Sequence, residues 1–88
     1  MAKYVYFEPT DEIFARFENY EISPCLIVGL SESGEVIYEA CDFWNPNIAI
    51  WCVYGHFLVG GCECISDHDT FEEAEEFERT LPPRQNNA

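Results

Sequence analysis

The sequence predicts an α+β domain: a small antiparallel sheet of about five strands in two hairpins, with two short helices, in the order β-α-β-β-β-β-α. Three observations predict it. Apolar runs of strand character at residues 25–30 and 48–57 are each followed by glycine-containing turn chemistry and a second β-favouring run. Two other segments, near residues 11–20 and 70–81, carry apolar residues at helical spacing behind N-cap residues. At 88 residues the chain supports one modest core, and cannot be divided into two independently buried halves.

Residues 3–8 include Tyr4, Val5, Tyr6 and Phe7, a β-favouring cluster closed by Pro9, which cannot donate to a sheet ladder. This is the expected first strand. Thr10 and Asp11 offer N-cap oxygens, and Ile13, Phe14, Phe17 and Tyr20 recur at helical spacing, so a helix is expected over 11–20, broken by Ser23-Pro24. Residues 25–30 form the next strand. Gly34, at the end of Ser31-Glu32-Ser33-Gly34, takes the left-handed turn position before a further strand from Val36.

The segment 42–47 has loop composition, although Phe43 and Trp44 are large apolar groups within it. Residues 48–57 are apolar on both alternating sets, as expected of a central strand covered on both faces. Gly60-Gly61 supplies a turn, and residues 62–66 return as the last strand. Thr70 with Glu73 then fits a capping box, and Phe71, Ala74, Phe77 and Leu81 form one apolar stripe that Pro82-Pro83 ends. One domain is expected over residues 1–83, with 84–88 a disordered tail.

Composition narrows the function. Seven Phe, five Tyr and two Trp argue against intrinsic disorder. The apolar runs are far shorter than the roughly 20 residues of a membrane-spanning helix. The amino terminus lacks signal-peptide character, and five cysteines without an export signal suit free thiols in a cytoplasmic protein. Seventeen Asp and Glu against four Lys and Arg give a formal net charge of −13, which repels nucleic acid and anionic lipid and attracts basic surfaces. Neither direct nucleic-acid binding nor membrane binding is expected.

No catalytic residue, metal or cofactor is assigned from the sequence. His56, Cys62, Cys64 and His68 have metal-ligand character, but their spacing does not match a zinc knuckle, and they are taken as packing thiols beside surface histidines. Asp67 and Asp69, which flank His68, are taken as helix-capping groups. A nucleophilic thiolate is disfavoured because the anionic field raises thiol pKa values. The terminal helix stands out: Glu72, Glu73, Glu75, Glu76 and Glu78 crowd within seven residues, and pairs such as Glu72 and Glu76 repel across the i,i+4 spacing.

In size, acidity and aromatic content, and in the hairpin-then-helix stretch Cys62-Glu63-Cys64-Ile65-Ser66-Asp67-His68-Asp69-Thr70-Phe71-Glu72-Glu73-Ala74, the chain resembles the small phage- and mobile-element-encoded inhibitors, among them anti-CRISPR proteins and DNA mimics. The resemblance implies a non-enzymatic protein whose carboxylates occupy the Lys- and Arg-lined surface of a nucleic-acid-binding protein or nuclease complex, in the cytoplasm of the host cell. The partner-binding set would then be Asp11, Glu12, Glu18, Glu72, Glu73, Glu75 and Glu76, with Phe43 and Trp44 as aromatic anchors. The alternative is a small interaction domain that dimerises through the two-faced strand at residues 48–53.

Overall fold

The computed structural model describes residues 2–83, so the expected tail at 84–88 lies outside the described residues. Five strands, β1 (Ala2–Val5), β2 (Phe17–Leu30), β3 (Val36–Ala40), β4 (Ile50–Phe57) and β5 (Cys62–His68), form one sheet of order β1-β5-β4-β2-β3. Every neighbouring pair is antiparallel. A 3-10 helix (Glu12–Arg16) and one α-helix, α1 (Phe71–Glu78), complete the fold. Among the described residues no helix is long and apolar enough to cross a membrane.

The two hairpins form where turn chemistry places them. Gly34, Gly60 and Gly61 all take positive φ, which residues with a Cβ adopt only under strain. The first expected helix does not form: only Glu12–Arg16 is helical, and the chain is extended from Phe17 onwards. The expected β-α-β-β-β-β-α order therefore loses its first α-helix. Helical spacing misled here because a β-bulge mimics it. Phe17 pairs with Phe57, Asn19 with His56 and Tyr20 with Gly55, so the extra residue Glu18 returns Phe17 and Tyr20 to the same face. Two side chains three apart thus share a surface without a helix.

Ser23-Pro24 breaks nothing. Both lie inside β2, opposite Cys52 and Trp51. The Cys41 amide donates to the Pro24 carbonyl at 2.9 Å, which places the Pro24 backbone groups past the end of β3, where the missing N–H has no ladder partner to lose. Strand β2 is consequently long and bridges β4 and β3.

Phe14, Phe17, Val53, Ile65, Ala74 and Leu81 form the main buried cluster, with Phe7, Tyr20, Ile22, Trp51, Phe57 and Phe77 packed around it. The 3-10 helix and α1 therefore cover one face of the sheet. Tyr20 locks the far end of this layer by donating its hydroxyl to the Pro82 carbonyl at 2.7 Å. Helix α1 starts as its sequence requires: Thr70 is extended, and its hydroxyl oxygen accepts from the Glu73 amide at 3.1 Å. Thr70→Ala is expected to lower stability by about 1 kcal/mol, measured by urea denaturation, with Thr70→Ser keeping most of the wild-type stability. An unchanged midpoint in the alanine variant would show that the cap contributes nothing.

Among the described residues the opposite face has no helix. Cys25, Ile50 and Cys52 are buried there, with Tyr38, Ala49, Tyr54 and Cys64 packed against them. Tyr4 and Tyr6, at one sheet edge, and Glu35, Val36 and Tyr38, at the other, line one groove of about 430 Å³. The sheet therefore curls until its two edges face each other across this concave side. Bulges in the β2–β3 and β4–β5 ladders add the twist that such curvature needs.

Candidate functional site

The acidic residues singled out from the sequence lie on the helical side or at its margins. Asp11 caps the 3-10 helix, its Oδ1 accepting from the Ile13 amide at 2.9 Å, and Glu12 is exposed in the first turn. Glu18, the bulge residue of β2, is half-buried. On α1, Glu72 and Glu76 are exposed, whereas Glu73 and Glu75 are half-buried. No basic residue stands in the last turn of α1 to offset its dipole.

Phe43 and Trp44 differ from each other. The Phe43 ring packs against Trp51 at 5.7 Å and Phe71 at 6.5 Å, which anchors the loop to the start of α1. Trp51 and Phe71 also meet edge to face at 5.3 Å. Trp44, one residue on, is 80% exposed. The structure thus docks Phe43 against the helix end from which the glutamate ridge begins and leaves the neighbouring Trp44 facing solvent. Asp11 and Glu12 sit on the separate 3-10 helix of the same layer.

The histidines and cysteines weighed together from the sequence do not converge. His68 is buried on the helical side, where its ring packs against Phe77 at 5.2 Å with the two planes tilted by 46° and its Nε2 lies 2.7 Å from Ser66 Oγ. It is therefore not a surface histidine. Burial lowers its pKa from the ordinary value, so the ring is held neutral. His56 is on the other side, 2.7 Å from Glu21 Oε1. Cys62 is exposed, and all five cysteines are free thiols. Asp67 does not cap a helix either: it is buried in the concave face.

What the structure does bring together is a polar cluster in that concave face. Cys25 Sγ lies 3.1 Å from Cys52 Sγ and 3.8 Å from the Tyr54 hydroxyl. The Cys64 thiol donates to Asp67 Oδ1 at 3.4 Å, and the Tyr6 hydroxyl donates to Asp67 Oδ2 at 2.6 Å. A bulge again decides the assembly. Tyr54 pairs with Cys64 and Val53 with Ser66, which leaves Ile65 as the extra residue. Cys64 and Asp67 therefore share a face although they are three apart in a strand.

The Cys25 and Cys52 thiols and the Tyr6 and Tyr54 hydroxyls hold their protons. The hydrogen bond to Cys52, followed by burial, pushes the Cys25 thiol well above its ordinary pKa. For Cys52 the Cys25 contact acts downward, but Cys64, burial and Asp67 together outweigh it and raise the thiol. Burial raises the Tyr6 and Tyr54 hydroxyls, and Asp67 reinforces the effect at Tyr6. Such thiols are poor nucleophiles near neutral pH. The cluster was not visible in the sequence as a motif, because its members come from β2, β4, β5 and the residue that follows β1.

Comparison of the chain with protein-family models, with curated proteins and with solved structures finds no match.

Proposed function

We propose that this protein is a non-enzymatic acidic binding protein of the anti-CRISPR or DNA-mimic kind, which acts in the cytoplasm by occupying the basic nucleic-acid-binding surface of a protein or nuclease complex. The observation that carries the reading is the α1 glutamate ridge, with the exposed Trp44 in the loop that Phe43 docks against the start of that helix. A groove built to neutralise phosphates is an unpaired positive surface when empty, and fixed carboxylates satisfy it. Carboxylates alone give encounter rate more than affinity. An exposed indole, desolvated on binding, would supply the kind of aromatic anchor on which interface energy concentrates.

The test is affinity capture from a host lysate at low salt, followed by mass-spectrometric identification and competition. Retention is expected to fall as salt rises to several hundred millimolar, where the Debye length drops to roughly 5 Å or less. Nucleic acid is expected to compete for the captured partner. Reversing Asp11, Glu72 and Glu76 to Lys is expected to leave the circular dichroism spectrum unchanged, because all three are exposed, and to slow association strongly. A partner that binds its DNA or RNA normally while saturated with this protein overturns the mimicry reading.

A second reading has its own observation, though not on the strand first considered. Ile50, Cys52 and Val53 of β4 are buried by their own chain and offer no surface to a second copy. The β2–β3 hairpin does. Ile27, Val28, Leu30, Val36 and Ile37 are exposed on it, and β3 is a sheet edge with unpaired backbone groups. A concentration-dependent dimer mass abolished by Val36→Lys and Ile37→Lys would favour an interaction or homodimerisation domain.

A further inference from the structure

We propose that the concave face of the sheet is a structural zinc site, with Cys52 Sγ, Cys64 Sγ and a carboxylate oxygen of Asp67 as ligands and Cys25 Sγ completing the tetrahedron. The ligand atoms of Cys52, Cys64 and Asp67 all lie within 4.8 Å of one another. A tetrahedral ion with Zn–S bonds of about 2.3 Å and a Zn–O bond of about 2.1 Å needs ligand atoms roughly 3.5–3.8 Å apart. The Cys64 to Asp67 separation of 3.4 Å lies just inside that edge length, whereas Cys25 and Cys52, at 3.1 Å, would have to draw apart to share an ion. Cys25 Sγ touches Cys52 but stands outside this group of three, so it would have to turn toward the ion to supply the fourth ligand.

Two further observations point to a cation. Asp67 is only 3% exposed, and among the described residues no Lys or Arg pairs with it. A buried carboxylate is ordinarily paired or metal-bound. Its two oxygens are also already sorted: Tyr6 holds Oδ2 at 2.6 Å, which leaves Oδ1 turned toward the thiols. A hydrogen bond of this kind, behind a ligating carboxylate, orients it for the metal.

The donor set selects the ion. Thiolates with a single carboxylate suit zinc and exclude magnesium and calcium, which take oxygen ligands. With all four positions supplied by side chains, the ion would be structural, tying β2, β4 and β5 together where the main hydrophobic cluster does not reach. Each ligating thiol gives up its proton to solvent on binding.

The whole chain, purified under reducing conditions, is expected to contain one zinc per molecule by elemental analysis. After chelation, Co²⁺ added alone is expected to give thiolate-to-cobalt charge-transfer absorption and the intense visible bands of tetrahedral cobalt, saturating at one equivalent. Cys52→Ser and Cys64→Ser should each weaken Co²⁺ binding and lower the charge-transfer intensity per bound ion, Tyr6→Phe should weaken binding about 10-fold, and Cys62→Ser should change nothing. If a ligand variant fails to fold, the titration of the folded wild type decides alone. Absence of the charge-transfer band there, unchanged affinity and band intensity in Cys52→Ser, or a Cys25–Cys52 disulfide as the stable form in the presence of stoichiometric Zn²⁺ would overturn the assignment.

Discussion

Replacing Phe17 with alanine is expected to lower stability by about 3–5 kcal/mol, a large part of what a domain of this size possesses. Phe17 is fully buried. Its ring meets Phe57 at 4.9 Å, Phe14 edge-on at 5.6 Å and Tyr20 at 6.1 Å, so truncation removes the centre of an aromatic cluster. These neighbours are held by the 3-10 helix, by β4 and by the Tyr20 hydrogen bond to Pro82, so the cavity cannot collapse cheaply. Chemical denaturation followed by circular dichroism measures the loss. A midpoint within experimental error of the wild type would show that the 3-10 helix and the start of β2 are not docked on the sheet.

Gly55→Ala is expected to cost about 1–3 kcal/mol in the wild type and to be neutral or stabilising once Phe17 is alanine. A Cβ built on Gly55 would lie 2.5 Å from Phe17 Cε1 and 2.6 Å from Cδ1 and Cζ. The clash is with the ring of a fully buried side chain, which has nowhere to move. Glycine in a strand is otherwise a weakness relative to alanine, by roughly 0.5–1 kcal/mol, so its presence in β4 is explained by the ring that covers it. The sign change between backgrounds is the diagnostic result, read as a coupling energy in a double-mutant cycle. Equal effects in both backgrounds would mean that the ring does not lie over Gly55.

The two proposed surfaces occupy opposite faces of one sheet, which keeps their tests separable. The carboxylates and Trp44 belong to the helical side, and the thiol cluster to the concave side. Charge reversal at Glu72 and Glu76 should leave cobalt binding intact. Loss of the metal should affect partner binding only through stability.

The antiparallel α+β class, both hairpins with their glycine turns, and the capped terminal helix were legible in the sequence because each is dictated locally. A positive-φ turn selects glycine, an N-cap selects Thr70, and the stripe of Phe71, Ala74 and Phe77 follows the helical period. Trp44 and the glutamate ridge were legible as composition, since like charges at helical spacing need no tertiary contact to be noticed. What the sequence could not show depends on bulges. At Glu18 a bulge turned helical spacing into a strand, and at Ile65 another put Cys64 and Asp67 on one face. A single inserted residue reverses which way every later side chain in a strand points, and no local preference announces it. Only the tertiary structure, by curling the sheet, gathered Cys25, Cys52, Cys64 and Asp67 from three separate strands, because proximity across a sheet is set by register and curvature rather than by spacing along the chain.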